Sequence, residues 1–293
     1  RAPARKARRV RPLDRRRALM GLLSDMATGS EQRLIAARAV VGVAELRRRC
    51  AALPPVPRLR LSTAGFDLIA ELKLRSPALG DLSARTMDPV ARLRGYAEAG
   101  AAVCSILTEP SRFDGDLSHL RQAATALAPY GVPAMRKDFL VDPYQVLEAR
   151  ANGAGGVLLI VRLVGRERLE TMLDAAAEQG LFVLLEGFDA DDLAIAADLA
   201  ARRRGRDEQV LMGLNCRDLQ TLQIDFARLA RLREQLPTEW PAVAESGVIT
   251  PDDAAIVAGL GYRLALVGTT LMQRDDPAQA ARELLAAGRG AAR

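Results

Sequence analysis

The sequence predicts an α/β protein whose main body is a single (β/α)8 barrel preceded by a helical extension. Eight apolar segments suited to buried strands alternate with eight segments whose apolar residues recur at helical spacing. Such alternation produces right-handed parallel units, and eight of these units close into a barrel. An open doubly wound sheet would carry a Gly-rich fingerprint after its first strand, and none follows it here. The length of 293 residues therefore suits one barrel.

Hydrophobic spacing and capping residues place the elements along the chain. Strands are expected at 66–73, 101–107, 132–135, 156–160, 181–186, 209–215, 242–245 and 264–268. Helices are expected at 88–100, 116–128, 142–153, 165–180, 189–203, 225–236, 250–261 and 276–287. Several of these helices begin with Asp or Thr and end with Gly, which are the residues that helix N-caps and C′ positions prefer.

The region before the first strand divides into a basic tail and a helical extension. Residues 1–17 hold nine of the 42 basic residues and one of the 36 acidic ones, with little apolar material, so we expect a disordered tail. Residues 18–60 should form helices that break at Gly29-Ser30 and end before Pro54. Residues 61–293 then form the barrel.

The tail also accounts for the charge of the chain. The formal net charge is +6 and the tail alone carries +8, so the remainder is close to neutral at −2. A nucleic-acid partner is therefore not expected for the barrel. The tail itself is either a solubilising extension or an arm that binds a polyanion.

Composition excludes several other classes of protein. No apolar run reaches the roughly 18 residues of a membrane-spanning helix, and the sequence shows no signal-peptide hydrophobic region. Cys50, Cys104 and Cys216 are widely spaced without a C-x-x-C motif, which predicts neither disulfides nor a metal site and fits a reducing cytoplasm. His119 is the only histidine, so proton transfer would fall to Lys and Glu. Composition leaves open whether the protein is a monomer or a homodimer.

The first predicted strand carries two charges at its carboxyl end. Glu71 and Lys73 are two positions apart, so their side chains share one face and lie roughly 6.5–7 Å apart along the strand. Burying both groups in a dry core would cost several kcal/mol even if they were paired. The pattern indicates a solvated cleft at this strand end, and an ordinary ion pair on an edge strand is the alternative.

Polar side chains recur where other predicted strands end. They are Lys137 within Arg136–Phe139, Glu186, Asn215 with Arg217 beyond it, and Glu245. Because the carboxyl ends of barrel strands form one active face, these residues should converge there. After the last two strands, Ser246-Gly247 and Gly268-Thr269 offer small residues and free backbone N–H groups, which is the usual arrangement of a barrel phosphate site.

These residues lie in longer motifs that resemble the indole-3-glycerol-phosphate synthase family of tryptophan biosynthesis. The resemblance runs from Glu31 to the C-terminus. It rests on IAELKLRSP (69–77), SILTEPSRFDG (105–115), RKDFLVDPYQVLEARANGAGGVLLI (136–160), LLEGFD (184–189), GLNCRDLQTL (213–222), AESG (244–247) and LVGTTLM (266–272). It implies a barrel whose mouth is covered by an N-terminal helix.

The resemblance also implies a reaction and a set of roles. The family converts 1-(2-carboxyphenylamino)-1-deoxyribulose 5-phosphate into indole-3-glycerol phosphate, releasing CO2 and water without a cofactor. By motif, Lys137 is the general acid for ring closure, Lys73 the acid for dehydration and Glu186 the base. Glu71 and Asn215 position these groups, and Glu245 completes the ring-side contacts. The implied substrate- and phosphate-binding residues are Ser76, Phe113, Phe139, Arg217, Ser246, Gly247, Gly268 and Thr269.

Four departures from the family pattern keep two other functions open. Leu74 and Leu79 replace basic residues, Gly187 precedes Phe188 in place of a Val-His pair, and Cys216 replaces an Asn. We expect these changes to weaken the positive field over the substrate. One alternative is a divergent paralogue that closes a ring on a modified arylamino sugar phosphate, and the other is a catalytically silent barrel that serves as a scaffold.

Overall fold

The computed structural model describes residues 12–76, 80–81, 88–219 and 221–292, with side chains from Gly21 onward except those of Ser76 and Asp81. Residues 1–11 of the predicted tail and Leu79 lie outside these ranges. The helix that follows begins at Pro12, within the segment 1–17 that composition assigns to the tail. Within the described residues, no helix is long and apolar enough to span a bilayer.

Eight parallel strands form a closed barrel, which confirms the predicted fold class. They are β1 Asp67–Leu72, β2 Val103–Leu107, β3 Ala134–Lys137, β4 Gly156–Ile160, β5 Phe182–Gly187, β6 Val210–Asn215, β7 Ala242–Glu245 and β8 Leu264–Val267. Strands adjacent in sequence pair around the ring, and β1 closes it against β8 with Asp67 opposite Leu264. The third strand begins after Pro133 and extends to Lys137, two residues beyond the predicted end.

Helices surround the barrel and precede it. They are α1 Pro12–Val40, α2 Val43–Ala51, α3 Pro89–Glu98, α4 Pro110–Phe113, α5 Leu117–Leu127, α6 Pro143–Ala151, α7 Arg166–Glu178, α8 Ala190–Ala201, α9 Ala227–Arg231, α10 Pro251–Gly259, α11 Thr269–Gln273 and α12 Pro277–Ala291. Asp and Thr N-caps behave as predicted, since side-chain oxygens accept from backbone N–H groups in the first turns of α3, α5, α6, α8, α10 and α12.

Two helix boundaries differ from the predictions. The break expected at Gly29-Ser30 is wrong, because α1 continues through both residues and ends at Val40. Ser30 is fully buried and its hydroxyl accepts a hydrogen bond from Gln145 at 2.9 Å, so tertiary contact offsets the cost of about 1 kcal/mol that Gly29 imposes. The predicted helix 225–236 is shorter than expected: α9 ends at Arg231 and a 3-10 turn, Arg233–Gln235, follows.

Side chains in the strands alternate between the barrel interior and the layer under the helices. The interior holds a cluster of large apolar residues that includes Ile69, Met135, Leu184 and Val243. Each fully buried Leu, Ile or Val of this kind stabilises the fold by about 1.5–3 kcal/mol. Two positions further along the same inward rows, at the carboxyl ends of the strands, the residues become polar. The lower part of the barrel interior is therefore apolar, whereas ionisable side chains lie at its mouth.

Candidate active site

A cavity of about 240 Å³ opens at the carboxyl ends of the strands. It is lined by the residues predicted to act in catalysis, namely Glu71, Lys73, Lys137, Glu186, Asn215 and Glu245. The predicted binding residues Phe113, Phe139, Arg217, Ser246, Gly247, Gly268 and Thr269 line it as well. The structure thus brings these side chains into one cavity, whereas the side chain of Ser76 lies outside the described residues.

Glu71 connects the two lysines of the cavity. Its Oε1 lies 2.7 Å from Nζ of Lys73, and its Oε2 lies 3.5 Å from Nζ of Lys137. Burial alone would raise the pKa of Glu71, but the two ammonium groups outweigh burial and lower the pKa to about 2. The cluster therefore contains one ionised carboxylate shared by two cations.

Lys137 keeps its proton although its surroundings exclude most water. Burial by itself would lower the pKa of the ammonium group, and the nearby carboxylates of Glu71, Glu186 and Glu245 more than compensate, so the pKa is raised. A protonated amine that points into a cavity of low polarity can donate to an oxygen on which negative charge develops. This arrangement suits a general acid.

Glu186 and Asn215 form a second polar pair across β5 and β6. The amide Nδ2 of Asn215 donates to Oε1 of Glu186 at 2.5 Å, and Oδ1 of Asn215 accepts from the backbone N–H of Arg217 at 2.9 Å. Burial raises the pKa of Glu186, and Lys137 and Asn215 only partly offset that rise. A carboxylate whose pKa is raised above the usual value is a stronger base than an ordinary surface Glu.

Glu245 is buried without a partner of opposite charge in contact. No described residue donates a hydrogen bond to either of its carboxyl oxygens, and the residue is 1% exposed. Burial first, and then the charge of Glu186, raise its pKa well above the usual value. The pKa of Glu245 is therefore shifted in the opposite direction from that of Glu71.

Two inward-facing glycines make room for these carboxylates. A Cβ at Gly268 would lie 2.1 Å from Oε1 of Glu71, and a Cβ at Gly213 would lie 2.0 Å from Oε1 of Glu245. Such distances are far below van der Waals contact, so any side chain at either position would displace the carboxylate. Both glycines are visible in the sequence near strand ends. A glycine at such a place is also common in turns, so the sequence alone does not show that it makes room for a carboxylate.

The far side of the mouth presents small residues and backbone N–H groups. Ser246 and Gly247 both have positive φ, of 68° and 81°, and Gly268 immediately precedes α11. A Cβ at Gly247 would lie 2.9 Å from Phe226 and 3.0 Å from Ile224, so only glycine fits this turn. These residues face the cavity as predicted for an anion site.

The remaining wall is apolar and was largely missed by the sequence analysis. Phe113 and Phe139, which were predicted as substrate-binding residues, lie with ring centroids 6.3 Å apart. The cavity is also lined by residues that were not predicted, namely Leu22, Met26, Leu158, Ile160, Phe188 and Leu219. An aliphatic residue in a strand buried on both faces gives no sign of which face it occupies. Leu22 and Met26 show that α1 covers the mouth.

Arg217 lies at the edge of the cavity with its guanidinium directed partly to its own loop. Its Nη1 donates to the carbonyl oxygen of Leu222 at 3.0 Å, and Arg217 forms an isolated antiparallel bridge with Ile224. Leu222 adopts a positive φ of 57° in this loop. The loop therefore fixes the direction of the Arg217 side chain.

The departures from the family pattern have different structural consequences. Leu74 lines a separate cavity of about 160 Å³ together with His119 and Val90. Phe188 lines the main cavity, and the guanidinium of Arg162 lies 5.0 Å from the centre of its ring. The thiol of Cys216 is buried and donates to the carbonyl oxygen of Ser246 at 3.4 Å.

The three cysteines are buried free thiols, and the described residues contain no group of three or more His, Cys, Asp or Glu side chains arranged to hold a metal ion.

Comparison with solved structures supports the fold. Thiamine phosphate pyrophosphorylase from Pyrococcus furiosus superposes with a TM-score of 0.55 at 17% identity, covering 78% of this chain and 97% of that one. 3-Hexulose-6-phosphate synthase from Salmonella typhimurium superposes with a TM-score of 0.59 at 15% identity, covering 77% of this chain and 99% of that one. At such low identities the likeness shows the shared barrel alone.

Sequence comparison is more specific. The family model of indole-3-glycerol phosphate synthase matches residues 24–284. Proteins named indole-3-glycerol phosphate synthase are 39% identical in a Nocardioides species over 90% of this chain and 98% of that protein, and 38% identical in Saccharopolyspora erythraea over 92% and 96%. One from Rhodopirellula baltica is 37% identical over 91% of this chain and its own full length. The chain belongs to the indole-3-glycerol phosphate synthase family.

Proposed function

We propose that this protein converts 1-(2-carboxyphenylamino)-1-deoxyribulose 5-phosphate into indole-3-glycerol phosphate, with release of CO2 and water. The observation that carries the proposal is the convergence of Lys73, Lys137 and three glutamates on one cavity that also faces Ser246-Gly247 and Gly268-Thr269. The substrate class is a phosphorylated sugar joined to an aromatic acid. The cavity offers an aromatic wall for the ring and backbone N–H groups for the phosphate.

Lys137 is proposed as the acid of the ring-closing step. The ring carbon that bears the carboxylate attacks the ketone carbon, and the ketone oxygen takes the proton of Lys137 as the new C–C bond forms. Attack costs the ring its aromaticity, so proton donation to the developing alkoxide lowers the barrier. Loss of CO2 leaves its electron pair in the ring and restores aromaticity.

Lys73 and Glu186 are proposed for the dehydration that follows. Lys73 protonates the departing hydroxyl, which leaves as water, and Glu186 removes the proton whose loss completes the indole double bond. The pair of Glu71 with Lys73 supports the first role, because the 2.7 Å contact directs the ammonium group into the cavity. Asn215 supports the second role, because it holds one oxygen of Glu186 and leaves the other free to accept.

The two ends of the substrate are assigned to opposite sides of the mouth. The aromatic ring would lie against Phe113 and Phe139, with its carboxylate toward Arg217 and its ring edge toward Glu245. The phosphate would lie at Ser246-Gly247 and Gly268-Thr269, where backbone N–H groups and the start of α11 favour an anion. Ser76 is proposed to contribute from the β1 side. We propose the cytoplasm as the location, since buried free thiols suit a reducing compartment.

The direct test is turnover of this substrate by the purified chain, followed by the fluorescence of the indole product. We expect product formation without an added metal or cofactor. Folded protein that gives no product would contradict the proposal and favour the silent-scaffold alternative. In that case deletion of residues 1–17 should abolish partner binding and leave the barrel intact.

The divergent-paralogue alternative rests on one residue that faces the cavity. Phe188 lines the cavity, and Gly187 before it packs close to α8, where a Cβ would lie 3.0 Å from Asp192 and 3.1 Å from Leu193. A panel of ring-substituted substrates separates the two functions. If kcat/KM is highest for a substituted ring, the alternative holds.

A further inference from the structure

Arg33 of helix α1 contacts two buried carboxylates beside the proposed acid. Nη2 of Arg33 donates to Oδ1 of Asp138 at 2.8 Å, and its Nη1 lies 3.6 Å from Oε1 of Glu109. The side chain of Arg33 is 30% exposed, whereas those of Asp138 and Glu109 are 0% and 1% exposed. Hydrogen bonds between an ionised donor and an ionised, buried acceptor are stronger than hydrogen bonds between neutral groups.

Asp138 fixes the end of β3 next to Lys137. Its Oδ1 also accepts from the backbone N–H of Phe139 at 2.8 Å, and its Oδ2 accepts from the hydroxyl of Thr108 at 2.8 Å and from Nη2 of Arg136 at 3.2 Å. The residues on both sides of Lys137 are therefore held outside the barrel, and Lys137 projects inward between them. Arg33 supplies the bond that comes from α1.

Glu109 fixes the segment that carries the other half of the aromatic wall. It is the N-cap of α4, and its carboxylate accepts from the backbone N–H groups of Ser111 at 2.9 Å and Arg112 at 2.7 Å. Phe113 ends this helix, and its ring centroid lies 6.3 Å from that of Phe139. Arg33 therefore contacts both carboxylates that position the wall.

Charge balance makes this contact important. The buried cluster contains the carboxylates of Asp138, Glu109 and Glu148, and Arg136 reaches Asp138 at 3.2 Å and Glu148 at 2.8 Å. Without Arg33, one ion pair to Asp138 and the only described cation near Glu109 are lost. Removing one partner of a buried ion pair leaves a carboxylate uncompensated, and the loop that carries it must move toward water.

We propose that Arg33 is a positioning residue through which helix α1 sets the placement of Lys137 and of the Phe113–Phe139 wall. The catalytic unit then includes α1 as well as the barrel. The role assigned to Lys137 rests on the proposed function, whereas the anchoring of residues 137–141 by Arg33 does not.

The test compares Arg33→Ala with Arg38→Ala, which removes another arginine of the same helix. Arg38 pairs with Asp142 at 2.6 Å, but its side chain is 44% exposed and Asp142 caps α6 outside the cavity. We expect kcat/KM to fall about ten- to a hundredfold in Arg33→Ala, because displacement of a catalytic group by about 1 Å costs that much. Arg38→Ala should stay within about twofold. Arg33→Lys should retain part of the activity. If Arg33→Ala does not fold, the same measurements are made on Arg33→Lys.

Two further readouts distinguish positioning from general damage. Inhibition by inorganic phosphate should be unchanged in Arg33→Ala, because the proposed phosphate site lies on β7 and β8, across the ring from β3. Hydrogen exchange of the amides of residues 137–141 should accelerate in Arg33→Ala and not in Arg38→Ala.

The exchange measurement does not depend on turnover, so it decides the anchoring even if the wild type forms no indole product. Equal exchange and equal activity in Arg33→Ala and Arg38→Ala would overturn the proposal. Acceleration at residues 137–141 without a change in kcat/KM would also overturn it, since anchoring would then have no catalytic consequence.

Discussion

Glu71 and Glu245 lie in the same barrel mouth, on strands separated only by β8, and yet their pKa values are shifted in opposite directions. Glu71 contacts two ammonium groups and its pKa is lowered to about 2, whereas Glu245 has no hydrogen-bond partner among the described residues and its pKa is raised by burial. Burial acts on both in the same direction, so the lysines decide the outcome. Residue type and strand position alone therefore do not assign a catalytic role.

The largest expected effect comes from removing Lys137, one of the two ammonium groups that distinguish Glu71 from Glu245. Lys137→Ala should lower kcat by about 10³–10⁴-fold, since a positioned general acid contributes on that scale. Substrate binding should remain measurable, because the proposed phosphate site is intact. Steady-state kinetics with the fluorescent product measure this, with Arg121→Ala on the exposed side of α5 as the control. A near-normal kcat would remove Lys137 from the mechanism.

Replacement of Glu71 or Glu245 by Gln tests the difference between these two residues through the free energy of unfolding. Glu71→Gln leaves two ammonium groups facing each other and should destabilise the fold by about 3 kcal/mol at neutral pH. Glu245→Gln replaces a carboxyl group that has no hydrogen-bond partner among the described residues by an amide of similar shape, so it should change the free energy of unfolding by less than about 1 kcal/mol. Urea unfolding measures both. Equal losses would contradict the difference in partners between the two carboxyl groups.

The pH dependence of stability should differ in sign between these two residues. The folded pKa of Glu71 lies below its unfolded value, so its contribution of about 3 kcal/mol is present above about pH 4.5 and is lost as the pH falls toward 2. The folded pKa of Glu245 is raised, so its contribution is present below the unfolded pKa and is lost as the pH rises through the folded pKa. Relative to the wild type, Glu245→Gln should therefore gain stability as the pH rises.

Substitution of the glycine beside each carboxylate, Gly268 beside Glu71 and Gly213 beside Glu245, tests the same difference through steric displacement. The expected effects are smaller. Gly268→Ala should displace Glu71 from both lysines and lower kcat/KM about ten- to a hundredfold, whereas Gly213→Ala displaces Glu245 and should cost less. Gly259→Ala in α10 is the control, because a Cβ there meets no atom within 4 Å. A larger effect at Gly213 than at Gly268 would reverse the assigned importance of the two carboxylates.

The smallest expected effect is at Cys216. Its thiol donates to the carbonyl oxygen of Ser246, and the amide of an Asn side chain can make the same hydrogen bond. Cys216→Asn should therefore leave kcat/KM within about threefold of the wild type or raise it, by the same kinetic assay. A loss greater than tenfold would show that the thiol is required for the turn at Ser246-Gly247.

The sequence predicted the barrel, the strand positions and the polar half of the cavity, because apolar runs of strand length and charges at strand ends are local signals. It could not predict the apolar half, since Leu158 and Ile160 look the same in sequence whether they face the cavity or the helices. The contact of Arg33 with Asp138 joins residues 105 positions apart and has no local signal. The continuity of α1 through Gly29-Ser30 likewise depends on the tertiary contact of Ser30 with Gln145.

The central claim is that Glu71, ionised between two lysines, keeps Lys137 protonated as the acid of ring closure. The pH dependence of kcat in wild type and Glu71→Gln tests this most directly. Activity should fall as the pH rises through the pKa of Lys137, and this basic limb should move to lower pH in Glu71→Gln, because Glu71 raises that pKa. A basic limb at the same pH in both proteins would contradict the claim.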